Sequence, residues 1–160
     1  MLLIVAPTEN QSQAIAYSGR SANGNEAFIF SATSENALYT VELTGADTAS
    51  VRVFMDRNTI DLATGAAVGA AYSSPDNVAT GADGTIYSLE DLEPNGGDIW
   101  KAIDADNDGV AESMGRWASL GVTGSEPTGL EQDPNDPKRM IINVQHPASG
   151  NDATWEIRLP

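Results

Sequence analysis

The sequence predicts an all-β chain built from short antiparallel strands, and three observations carry that reading. Amphipathic helical spacing is nearly absent. Short apolar runs alternate with clusters of Gly, Asn, Asp, Ser and Pro, residues that favour turns. Hydrophobic residues make up 41% of the 160, enough for the core of a single domain over 1–160 and too many for a wholly disordered chain.

In chain order, the first group of strands is expected near 13–17, 26–31, 37–43 and 49–55. A second group follows near 77–80, 84–89, 98–103 and 114–119. A third lies near 128–132, 139–145 and 153–159. Gly81-Ala82-Asp83-Gly84 and Pro134-Asn135-Asp136-Pro137 have the chemistry of hairpin turns. The apolar run at 2–5 reads as a buried strand, because it is short and lacks the basic flank of a leader or the length of a membrane span.

The three groups repeat one another. The stretch 36–43 around Tyr39 resembles 97–104 around Trp100 and 151–158 around Trp155. The aromatic positions are 100 − 39 = 61 and 155 − 100 = 55 residues apart. Each is preceded by a more apolar strand. A recurring four-stranded unit at this period predicts β-propeller blades, over 8–56, 74–119 and 124–160. The third unit lacks a fourth strand, which 2–5 would supply. Three blades are about half of a six-bladed ring, so closure calls for a second copy or a longer chain. The alternative is a small β-sandwich of the same strands.

Charge narrows the partners. Eight Lys+Arg against 23 Asp+Glu give a net charge of −15. Nucleic acids and anionic membranes need a basic face and are disfavoured, whereas cations are attracted. Cysteine is absent, which excludes disulfides, thiolate metal sites and cysteine nucleophiles. With one histidine, His146, no multi-histidine zinc site can form, and no G-x-S-x-G elbow supports a serine triad.

Two sets of acidic residues stand out. Asp76, Glu90, Asp91 and Glu126 fall where strands meet loops, at positions that converge on one mouth of a propeller channel. Carboxylates there suit a hard cation. A solvated strand end is the bland alternative for each. The segment 104–112, with Asp104, Asp106, Asp108, Gly109 and Glu112, has the D-x-D-x-D-G opening of a calcium loop. Its twelfth position is Gly115 rather than a bidentate acid, so a polar hairpin turn is the alternative.

These residues resemble the C-terminal part of the PhoX-type, calcium-dependent alkaline phosphatases. Glu126-Pro127-Thr128-Gly129-Leu130 and then Ile142-Asn143-Val144-Gln145-His146-Pro147 are similar to the family's E-x-T-G and N-[IV]-Q-H-P segments. Ser74-Pro75-Asp76-Asn77-Val78-Ala79, the 83–87 turn, Glu90-Asp91, Gly97-Asp98-Ile99-Trp100 and the 104–112 loop also look like family members. The similarity covers about 70–160. Residues 1–69 match as a generic blade. The resemblance implies a six-bladed propeller that binds calcium and iron and cleaves phosphate monoesters outside the cytoplasm, in the periplasm or after secretion. Carried over, Asp76, Glu90 and Glu126, with Asp91 beside them, would ligate metal. Asn77 and His146 would contact phosphate. The family's cysteine ligand has no counterpart here, so iron would not bind in the family's way. The expectation is a calcium-binding half-propeller that closes as a homodimer and hydrolyses a phosphate ester. The alternative is a calcium-stabilised interaction module without chemistry.

Overall fold

A computed structural model describes residues 14–91 and 96–160. The strand expected at 2–5 lies outside them. The described residues form eleven strands in three antiparallel sheets and no α-helix. The first sheet holds β1 (Ile15–Arg20), β2 (Glu26–Ala32), β3 (Ala37–Gly45) and β4 (Thr48–Met55), in that spatial order. The second holds β5 (Pro75–Thr80), β6 (Ile86–Glu90), β7 (Asp98–Ile103) and β8 (Ser113–Ser119). The third holds β9 (Glu126–Asp133), β10 (Asp136–Gln145) and β11 (Ala153–Arg158), with β10 central. These are the blade-like units that the repeats predict. Consecutive strands pair with their neighbours because the short turns between them permit only antiparallel return.

The sheets stack in sequence, with β5 lying against β1 and β2, and β9 against β5 and β6. Strand alternation gives each sheet two faces. Ile29, Leu38, Phe54 and Met55 of the first sheet meet Ile86, Trp100, Ala102 and Met114 of the second. Tyr87, Leu89 and Ile99 on the other face of the second sheet meet Leu130, Met140 and Ile142 of the third. At about 1.5–3 kcal/mol per fully buried large side chain, these two layers supply the main drive for stacking.

The linker 56–74 is part of the packing. Leu62 N–H donates to Met114 O and Met114 N–H donates to Ile60 O, so the linker runs beside β8 and covers that edge. Tyr72 fills the first layer edge-on to Trp100.

The three repeated aromatics all lie on the third strand of their sheets. Trp100 and Trp155, equivalent in the repeat, have different surroundings. Trp100 is 2% exposed, whereas Trp155 is 39% exposed. Trp100 is enclosed by Tyr72, Glu90 and the Arg116 guanidinium 5.0 Å from its ring. Trp155 stands on β11, which forms the edge of a three-stranded sheet.

Candidate functional site

Gly97 brings the second and third sheets together at one end. A Cβ there would sit 2.4 Å from Pro127 Cδ and 2.7 Å from Glu90 O. Only a residue without a side chain admits this approach. Gly97 N–H then donates to Ser125 O, and Asp91 N–H donates to Ser74 O. The start of β5 is tied to the first sheet by Ser31 Oγ donating to Asp76 O and Thr33 Oγ1 donating to Pro75 O. Three predicted carboxylates thereby become electrostatic neighbours: Asp76 at the start of β5, Asp91 after β6 and Glu126 at the start of β9.

Glu126 shares a hydrogen bond with Asp91 and accepts another from Gln145 Nε2 at 2.6 Å. Burial raises its carboxyl above the ordinary range, and the charges of Asp91 and Asp76 add to that rise. Asp76 is raised by burial and then by Asp91. Its Oδ2 accepts from Asn77 Nδ2 at 2.8 Å. These carboxyls meet across two sheets, so each proton or cation bound at one affects the others. His146, exposed, follows β10 in a left-handed turn, and its N–H donates to Asp152 Oδ1 at 3.1 Å.

Glu90 takes a different place. It is 2% exposed and shares a face with Ser88 and Trp100, inside the second sheet's packing. Its Oε1 accepts from Ser73 N–H and Trp100 Nε1–H, both at 2.9 Å, and its Oε2 accepts from Asp98 N–H at 3.2 Å. Burial pushes its carboxyl up to about 7 despite these donors. The geometry makes it a bracing group for Trp100 and for the chain on either side.

The loop between β7 and β8 gathers the second acidic set. Ligand oxygens of Asp104, Asp106 and Asp108 all lie within 4.8 Å of one another, a grouping that could hold a metal ion. Asp108 N–H donates to Asp104 Oδ1 at 3.0 Å and to Asp106 Oδ1 at 3.2 Å, and Gly109 N–H donates to Asp104 Oδ2 at 2.7 Å. Asn107 and Gly109 have φ values of 57° and 89°, which wrap the chain around the carboxylates. Burial raises the Asp104 carboxyl, while the Gly109 and Asp108 amides pull it down. Glu112 lies outside the trio, where its Oε2 accepts from Ala105 N–H at 3.1 Å.

The back of this loop is seated on the first sheet. Ala22 N–H donates to Asn107 O at 2.8 Å, and Ala111 N–H donates to Phe54 O at 2.9 Å. Arg52 Nη1 donates to Asp108 O at 2.8 Å and touches Glu42 Oε2 at 3.3 Å. Glu42 is 2% exposed and also accepts from Ser21, Asn25 and Asn23. Its carboxyl is held down to about 2, first by Asn25, then by Ser21 and Asn23. Between loop and sheet lies a cleft of about 250 Å³ that includes Thr40, Glu42, Arg52, Asp104 and Asp108. Thr40 Oγ1 is buried without a hydrogen-bond partner. The seating residues carry no local motif and come from strands far away in sequence. The loop is therefore visible in the sequence, and its dock is not.

No family model and no curated protein matches the chain. Among solved structures, a crystal structure from Bacteroides uniformis, named provisionally as a 6-phosphogluconolactonase, aligns with a TM-score of 0.52 at 11% identity. The alignment covers 96% of this chain and 44% of that one, so the chain spans less than half of that structure's length. At this identity the likeness concerns the fold.

Proposed function

We propose that this chain is a calcium-binding β-blade module in which the ion fastens the second sheet to the first. The observation that carries the reading is the double role of the β7–β8 loop. Its carboxylates at 104, 106 and 108 face one another, while its carbonyls at 107 and 108 are held by Ala22 and Arg52 of the first sheet. Hard oxygen donors in a flexible loop suit Ca²⁺. Ion binding would neutralise the carboxylates and fix the loop shape that the first sheet grips. Calcium titration by calorimetry, with Asp104→Asn and Asp106→Asn as variants, tests this. Binding in the native chain that both variants weaken is expected. Heatless titration at millimolar calcium would overturn it.

A second reading rests on the other carboxylates. Glu126 has Asp91 and Asp76 as charged neighbours from another sheet, which supports a second cation position at the strand ends. In the PhoX-like reading, metal there would bind phosphoryl oxygens and orient the attacking group. Asn77 and the exposed His146 would provide polar contacts. Hydrolysis of a chromogenic phosphomonoester that needs calcium and is lost in Glu126→Gln would support it. Equal turnover in that variant would remove it.

A further inference from the structure

We propose that the outer face of the first sheet is the surface through which two copies of this chain pack back to back. The register defines the face. Ile15, Phe30, Tyr39 and Val53 form one cross-strand row, and Tyr17, Phe28, Val41 and Val51 form the next. Tyr17 meets Phe28 edge-on, and Phe30 stacks on Tyr39. All eight positions are apolar or aromatic. Ile15, Tyr17, Val51 and Val53, on the two outer strands, are 66, 49, 48 and 42% exposed, whereas Phe28, Phe30 and Tyr39 are half-buried and Val41 is buried. A contiguous apolar surface on a soluble fold marks an interaction site.

The repeat identifies this face as one that meets a neighbouring sheet. Trp100 lies on the face of the second sheet that meets the first. Trp155 is opposite Ile142, on the face of the third sheet that meets the second. Tyr39 holds the same place in the first sheet, so its face is built to receive another sheet. Among the described residues, both faces of the second sheet are engaged. The free face of the third sheet carries Arg139 paired with Asp133 and Glu156, Arg158 paired with Asp136, and Glu131 beside Ile141. Setting that charged face against the apolar one, as head-to-tail closure of a ring requires, would strip water from those ion pairs without replacing it.

The first sheet of a second copy has the needed chemistry. The two central rows themselves bear no carboxylate, and the Glu35 carboxylate at their margin is engaged by the Tyr39 hydroxyl, so two chains of charge −15 meet there with less repulsion than at the acidic loops. A stable pairing must bury roughly 1,000 Å² in total, a requirement that the whole face, not the four exposed side chains alone, has to meet. The pairing is isologous, since the same patch serves both copies.

Light scattering on the full chain at high micromolar concentration tests the proposal. The expected mass is twice 16.8 kDa. Val53→Lys and Tyr17→Lys, each checked for strand content by circular dichroism, should raise the dimer dissociation constant at least ~tenfold. Ile141→Lys, on the charged face, should leave it unchanged. A monomer at every concentration would overturn the proposal. So would a dimer that survives both first-sheet variants, or one that only Ile141→Lys breaks, the pattern that ring closure would give.

Discussion

Arg52 Nη1 donates to the carbonyl of Asp108 at 2.8 Å while resting 3.3 Å from the Glu42 carboxylate. One guanidinium thus joins a buried acid of the first sheet to the acidic loop of the second. Its planar fork can serve both acceptors, which a lysine ammonium does less well. Arg52→Met keeps much of the stem and removes both contacts. The expected cost is about 1 kcal/mol, discounted for the exposure of the side chain. The calcium affinity of the loop should fall with it, although Arg52 touches no predicted ligand oxygen. Calorimetric titration of the variant checks this, and an unchanged affinity would mean that loop and dock are uncoupled.

Chelation should lower the melting temperature. An ion that binds the folded chain alone stabilises it by about 2.7 kcal/mol at a hundred times its dissociation constant. For a chain of this size that corresponds to roughly 5–10 °C. Scanning calorimetry with calcium and then with excess EDTA measures the difference. Asp106→Asn should show a smaller difference than the native chain. Coincident melting curves in calcium and EDTA would count against an ion in the fold.

The strand pattern was legible because its signals are local. Apolar runs, turn residues and the Tyr39, Trp100 and Trp155 period each sit within a few residues. The trio at 104, 106 and 108 was legible for the same reason, since alternate carboxylates with a following glycine need no distant partner. The dock was not, because Arg52, Glu42 and Thr40 acquire meaning only once the second sheet is laid on the first. Adjacent Glu90 and Asp91 show another limit. Both read as strand-end acids, but neighbouring residues along an extended chain point to opposite sides. The structure turns Glu90 toward Trp100 and brings Asp91 to Glu126.

Glu126→Gln should relieve crowding among the strand-end carboxyls. Burial and the nearby Asp91 and Asp76 raise the Glu126 carboxyl, so its ionised form is less favourable in the folded chain than in water. Glutamine has nearly the same shape and an oxygen that can still accept from Gln145. In EDTA, the variant should melt at or slightly above the native temperature. In calcium or manganese, binding at the strand ends should weaken. Full metal content by elemental analysis in both proteins would show that Glu126 holds no ion.

Gly97→Ala should be among the most damaging single-methyl changes in the chain. The added carbon would lie 2.4 Å from Pro127 Cδ and 2.7 Å from Glu90 O, and one of these contacts is backbone. Relief requires the second and third sheets to separate where Gly97 bonds to Ser125. Overpacking of this kind costs roughly 3 kcal/mol. Urea denaturation should show a lower midpoint with a similar slope. A native midpoint would mean that the sheets slide apart without penalty.

Stability should decline as pH rises through the range in which Glu90 ionises. Burial raises its folded carboxyl from 4.5 to about 7. The folded state therefore holds a proton that the unfolded chain releases, and this favours folding at low pH. The advantage is complete below 4.5 and is lost as pH climbs to about 7, a change of about 3 kcal/mol. Asp76, Asp104 and Glu126, also raised, add to the slope in the same direction. Glu42 does not interfere, because its carboxyl is held down to about 2 and its contribution is lost only as pH falls toward that value. Urea midpoints in EDTA at about pH 5 and pH 7.5 should differ in the native chain. In Glu90→Gln the difference should shrink, since the amide cannot titrate yet can still accept from Ser73 and Trp100. If the variant keeps the native slope, the proton lost on raising the pH belongs to another carboxyl.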